Sequence, residues 1–183
     1  MTDAVMKFTK DDRLGRVAAV DTSRVLITVE AHQHMASVAV GNLVAIRGRT
    51  ATEFLVGMIE RATRSVTEGL IADSIDENGD IPLGETQEDY LKVVLLGTYR
   101  AVDGDHANTF KRGADSFPQV DRDCFWITGP NLQSFMNLLS ENVAEGERMH
   151  LGHYVADQTA VAIAHGDRFF QRHAAVLGST GSG

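Results

Sequence analysis

The sequence predicts a mainly-β fold: a small antiparallel β-barrel over residues 1–100, followed by the beginning of an α/β domain. Short β-branched runs, separated by turn-forming residues, fill the first hundred positions. No helical periodicity interrupts them, and helix and strand patterns alternate only after about residue 130. Consecutive strands without intervening helices suit a closed barrel, which leaves no exposed edges.

The first hairpin is expected at Leu14–Val20 and Arg24–Val29, joined by the turn-prone Asp21-Thr22-Ser23. In its second arm Val25, Ile27 and Val29 alternate with Leu26, Thr28 and Glu30, the pattern of one-sided burial. Further strands are predicted at Ser37–Val40, Asn42–Arg47, Phe54–Arg64 and Tyr90–Tyr99, with Gly41, Gly48 and Gly57 as turns, bulges or tight bends. An acidic loop at about 66–89 reads as an excursion between two barrel strands. Residues 101–150 read as a linking segment, irregular over 103–123 and then helical. Pro130 suits a first helical turn, where its missing N–H costs nothing. Leu132, Phe135, Met136, Leu139 and Val143 then share one face, as core or ring-interface packing requires. Residues 151–183 are expected to start the α/β domain: a strand from Thr159 (TAVAIA), an amphipathic DRFFQRH, and an apolar strand AAVL.

Charge is distributed unevenly. Eight of the 25 acidic residues lie between Glu68 and Asp89, a stretch without Lys or Arg, and the 17 others match the 17 basic residues. One segment thus carries the whole net charge of −8, and no basic stripe marks a nucleic-acid contact in this portion. The segment has two readings: a solvated loop, or a docking element for the basic face of a partner. No run reaches the roughly 18 apolar residues of a membrane span. The polar MTDAVMKFTKDD start does not read as a secretory signal, and a single cysteine, Cys124, forms neither an internal disulfide nor a multi-thiolate zinc site. A cytoplasmic setting without membrane contact is expected.

The chemistry-bearing motif lies at the end. Gly178 and Gly183 hold the two glycine positions of G-x-x-x-x-G-K-[ST], with Ser179, Thr180, Gly181 and Ser182 between them and an apolar strand before. Small residues let successive backbone amides turn inward around a phosphate, and a following helix would aim its N-terminal dipole at the same anion. A flexible Gly/Ser linker has the same composition, but it gives no reason for P-loop spacing or for a preceding apolar strand.

The closing stretch GHYVADQTAVAIAHGDRFFQRHAAVLGSTGSG resembles the approach to the Walker A loop of HerA-type ATPases, in the HerA–FtsK superfamily. LGRVAAVDTSRVLITVE, GNLVAIRG and FLVGMIERATRS are similar to the small β-barrel that precedes the motor in that family. The acidic segment has no match. The resemblance implies a hexameric ring that hydrolyses Mg·ATP and translocates on or unwinds double-stranded DNA, with the barrel helping to close the ring. It also implies that the barrel docks a nuclease or antiphage effector. Gly178 to Gly183 would supply phosphate-cradling amides. The Walker lysine, the magnesium-binding hydroxyl, the Walker B acids and the arginine finger would lie beyond Gly183, so residues 1–183 alone are expected to be inactive. The alternative is a stand-alone, non-catalytic assembly barrel ending in a linker.

Other candidates carry less. His32/His34 and His150/His153 are pairs without an evident third ligand and read as exposed loop histidines. Asp76-Glu77-Asn78-Gly79-Asp80 is similar to the start of a calcium loop, but Ile81 and Gln87 break its sixth and twelfth positions. No metal site is predicted. Cys124, followed by Phe125-Trp126-Ile127, reads as a buried small hydrophobe.

Overall fold

Alternating burial builds the barrel. The computed structural model describes residues 5–22, 24–30, 35–70, 83–102, 107–140, 143–155, 157–171, 178 and 181. Strand β1 is Arg13–Asp21 and β2 is Arg24–Val29. Val25, Ile27 and Val29 are buried in the core, while Leu26 and Thr28 are only partly covered. β3 (Leu43–Arg47), β4 (Glu53–Leu70), β5 (Leu83–Arg100), β6 (Thr109–Arg112) and β7 (Asp123–Ile127) follow. The order β1–β2–β5–β4–β3–β7 returns to β1 through antiparallel pairings alone, a closed six-stranded barrel. β6 continues the edge of β5 just past β2, pairing Gly97 with Arg112 and Arg100 with Thr109. At Gly15 an added Cβ would stand 2.0 Å from the Thr28 carbonyl oxygen, so β1 and β2 approach only because that position has no side chain.

The wall formed by β3, β4 and β7 is covered on both faces. Val44, Ile46, Leu55 and Cys124 face the barrel interior, while Ala45, Phe54, Val56 and Phe125 belong to a second core outside it. This explains why these strands are nearly continuous apolar runs. Helix α1 (Gly129–Leu139) lies on that outer core, with Pro130 in its first turn and Leu132, Phe135 and Met136 buried. The Phe135 ring meets Phe110 of β6 edge-on at 5.0 Å. Phe8 from the N-terminal segment lies 5.0 Å from the ring of Phe54 and 5.2 Å from that of Phe125, with the Arg47 guanidinium over both of the latter rings. A second hairpin, β8 (Arg148–Tyr154) and β9 (Asp157–His165), leads into the short α2 (Gly166–Phe170). Two contacts fix it to α1. The Asp157 carboxylate accepts the Gly129 N–H at 2.5 Å, and the Val161 N–H donates to Gln133 Oε1 at 2.9 Å.

Several expectations are corrected. Ser37–Val40 is not a strand. There Asn42 Oδ1 accepts the Ala39 N–H at 2.7 Å and the backbone turns. The acidic segment is not simply a loop, because β4 and β5 continue beyond the barrel as a paired ribbon from Arg64↔Asp89 to Leu70↔Leu83. Residues 71–82 lie outside the described residues. Within 103–123, read as irregular, β6 forms a short edge strand. The barrel's sixth strand, β7, comes from beyond residue 100. Val143 does not extend the helical face, since α1 ends at Leu139 and the Ser140 hydroxyl donates to the Met136 and Asn137 carbonyls. It is buried nonetheless.

Candidate functional site

The residues predicted to cradle phosphate are Gly178, Ser179, Thr180, Gly181, Ser182 and Gly183. Gly178 and Gly181 are described and both are exposed. Gly181 has φ of 85°, the left-handed region that glycine enters without strain, and a Cβ there would meet nothing within 4 Å. Backbone nests that bind anions alternate right- and left-handed residues, so this conformation is one a nest requires. Ser179, Thr180, Ser182, Gly183 and the predicted AAVL strand lie outside the described residues. The last described element before the loop is α2.

Two adjoining hollows flank α1. The first, about 400 Å³, is apolar and lies between the helix and the outer barrel wall, lined by Leu43, Met58, Leu96, Phe135 and Leu139 among others. The second, about 930 Å³, lies between β6, the end of α1 and the β9–α2 corner, with Arg112, Ile163, His165, Arg168 and Phe169 in its walls. Phe110, Arg112 and Leu139 line both, so the two adjoin along one groove, with Arg112 where they meet and Arg168 at the β9–α2 end. Met58 and Leu96 are 37% exposed, Leu139 46% and Phe169 49%, large apolar surfaces left to solvent. Arg112 and Arg168 face no carboxylate among the described residues, whereas Arg64, Arg100 and Lys111 each have one. Sequence reasoning missed this groove. Leu139 was legible on the helical face, but that it clears the wall follows only from the packing angle of α1.

The remaining candidates resolve simply. Cys124 is fully buried and burial pushes its thiol well up, so it is an inert hydrophobe. His150 and His153 sit on strand β8 rather than in a loop, and both are exposed. His32 and His34 lie outside the described residues, as do Asp76 to Asp80. Among the described residues no three His, Cys, Asp or Glu side chains group as a metal site. No helix among them is long and apolar enough to cross a membrane.

No protein-family model matches the chain, and no curated protein matches it.

Proposed function

We propose that this chain is the front portion of a HerA-like, ATP-dependent DNA translocase, its barrel serving ring assembly and docking of a nuclease or effector. The observation that carries the reading is the pairing, in one chain, of a closed six-stranded barrel with a Gly178-x-x-x-x-Gly183 loop whose Gly181 takes the left-handed conformation. Exposed amides of such a loop hold the β- and γ-phosphates of a nucleotide, and no side chain at Gly178 or Gly181 blocks their approach. Mg·ATP supplies the phosphoryl group that is transferred to water, and the protein's part is positioning and charge stabilisation. What residues 1–183 contribute is the cradle and the scaffold that carries it.

The test uses the full-length protein of the parent gene. The two codons after Gly183 are expected to encode Lys and then Ser or Thr. Gly181→Val, which places a β-branched side chain at a positive φ, should abolish binding of a fluorescent ATP analogue and ATP hydrolysis while leaving the barrel folded. Unchanged hydrolysis in that variant, or a stop codon after Gly183, would remove the motor reading. The stand-alone assembly module would then stand, favoured by the exposed groove beside α1.

A further inference from the structure

We infer that the free edge of β6 takes up an extended, acidic segment of a partner protein, which adds one strand to the sheet and lies in the groove beside α1. The inference deepens the partner-docking role proposed for the barrel and rests on it.

The register of β6 fixes which of its backbone groups are free. Gly97 stands opposite Arg112, and the Gly113 N–H donates to the Leu96 carbonyl at 2.9 Å. In an antiparallel ladder this makes Gly97↔Arg112 a pair without hydrogen bonds of its own, as is Tyr99↔Phe110 two residues away. Thr109 and Lys111 therefore turn their N–H and C=O groups to β5, while Phe110 and Arg112 turn theirs to the other side. Among the described residues no strand pairs with β6 on that side, and no turn or loop bonds to these two backbones. A sheet edge with its N–H and C=O groups open is a template for one more strand. Residues 109, 110 and 112 also form one wall of the hollow of about 930 Å³, so a strand laid on this edge enters that space.

The side chains beside the edge say what that strand carries. Phe110 and Arg112 are two residues apart, share one face of β6, and both line the groove. A residue directly opposite Phe110 would pack on its ring, and one two positions along would meet the Arg112 guanidinium. Arg168 stands in the same hollow, beside Ile163 and the half-exposed Phe169. Arg112 and Arg168 meet no carboxylate among the described residues. Two carboxylates near the groove are engaged elsewhere: Asp157 accepts from Gly129 and Thr159, and Glu147 lies 3.5 Å from His165. Two unpaired guanidinium groups in a chain of net charge −8 select an anionic occupant by complementarity. Lys111 takes no part, because it lies on the opposite face of β6 and is paired with Asp115. The occupant is thus an extended segment with an apolar residue followed, at alternate positions on the same face, by carboxylates.

The probe is a labelled peptide, fluorescein-Thr-Val-Thr-Glu-Thr-Glu-Thr-amide, whose Val and Glu side chains share one face when extended. Fluorescence anisotropy should show binding that weakens about tenfold at 1 M NaCl, where screening is strong. Arg112→Glu with Arg168→Glu should weaken it by about tenfold or more, and Lys111→Ala by less than about twofold. A peptide with Lys in place of both Glu residues should bind the doubly substituted chain and not the wild type, a pattern that misfolding cannot produce. N-methylation of the Val and Glu amides, which would face β6, should abolish binding, and N-methylation of the Thr amides, which would face away, should not. Amide exchange read by NMR should be faster at Phe110 and Arg112 than at Thr109 and Lys111 in the free chain, and should slow about tenfold at the first two with peptide bound. Absence of binding, or equal loss with either set of methylated amides, would overturn the inference. So would Phe110 and Arg112 amides already protected in the free chain, because another segment or a second copy would then hold the edge. None of the substitutions touches Gly178–Gly183. Loss of peptide binding with ATP hydrolysis intact removes the acidic strand and leaves the motor; a stop codon after Gly183 with peptide binding intact leaves this site to the assembly module.

Discussion

Arg64 and Asp89 are directly opposed across β4 and β5, with Nε 2.8 Å from Oδ1 and Nη2 3.1 Å from Oδ2. The pair is lopsided: the Asp89 side chain is fully buried, while that of Arg64 is 49% exposed. Asp89 closes the end of the barrel core where the ribbon departs, next to Val29 of β2 in the register. Removing the guanidinium takes two charge-assisted bonds from a buried carboxylate that also accepts from Gln87 Nε2 at 3.3 Å, and this costs more than losing an exposed ion pair. Arg64→Ala is therefore expected to lower the thermal midpoint clearly more than Lys111→Ala, whose pair with Asp115 is exposed at both ends. Equal midpoints for the two variants would show that Asp89 is satisfied without Arg64.

Gly15→Ala tests the closeness of β1 and β2. The new methyl would stand 2.0 Å from the Thr28 carbonyl oxygen, a backbone atom that cannot swing aside, so the strands must separate. Overpacking of this kind costs about 1–3 kcal/mol. Gly146→Ala is the control, since a Cβ there would meet nothing within 4 Å. Its expected effect is neutral or slightly stabilising, from the smaller entropy of the unfolded chain. Urea denaturation of both variants would refute the packing argument if they lost the same stability.

Helix α1 separates core from groove within four residues. Phe135 is buried against Phe110, so Phe135→Ala should cost about 3–5 kcal/mol and loosen the helix from the barrel. Leu139, 46% exposed on the same apolar stripe, should lose no more than about 0.5 kcal/mol on the same substitution. A large loss at Leu139, measured by chemical denaturation of the monomeric chain, would mean that the groove is already filled.

How much of this was legible depends on how each strand is buried. The alternation of Val25, Ile27 and Val29 marks β2 because one face of it meets the core and the other is only partly covered. β7 carries no such signal. Cys124 faces the barrel interior and Phe125 the outer core, so its sequence is apolar at both parities. β6 is only four residues at a sheet edge, largely exposed, and its polar composition resembles a loop. The ribbon escaped for a related reason: beyond Arg64 the sequence carries no alternating apolar pattern, and its register shows only in the cross-strand pairing. The helix start was readable from Pro130 alone, but its end was not, because Val143 continues the apolar stripe after the backbone has turned at Ser140. Of the predicted phosphate loop, glycine spacing was visible in the sequence, and the structure adds the conformation of Gly181.

The joint between α1 and the β8–β9 hairpin should respond to acid. Asp157 accepts the Thr159 hydroxyl at 2.6 Å and the Gly129 N–H at 2.5 Å, and these bonds hold its carboxyl below the usual aspartate value. A carboxyl depressed in the folded state stabilises fully above the unfolded value and loses that contribution as pH falls through the folded one. The stabilisation is therefore intact at neutral pH, begins to fade near pH 4, where a free aspartate takes up its proton, and is gone below the folded value. Asp157→Asn keeps the shape but not the charge, and its single amide oxygen can replace only one of the two carboxylate oxygens that accept from Thr159 and from Gly129. Its stability deficit against wild type should be constant from about pH 7 to pH 5 and shrink progressively below about pH 4. Urea titrations at a series of pH values read this directly. A deficit that stays level down to pH 3 would mean that the hairpin is held by Val161 and Gln133 and by the burial of Ala160, with the carboxylate contributing nothing of its own.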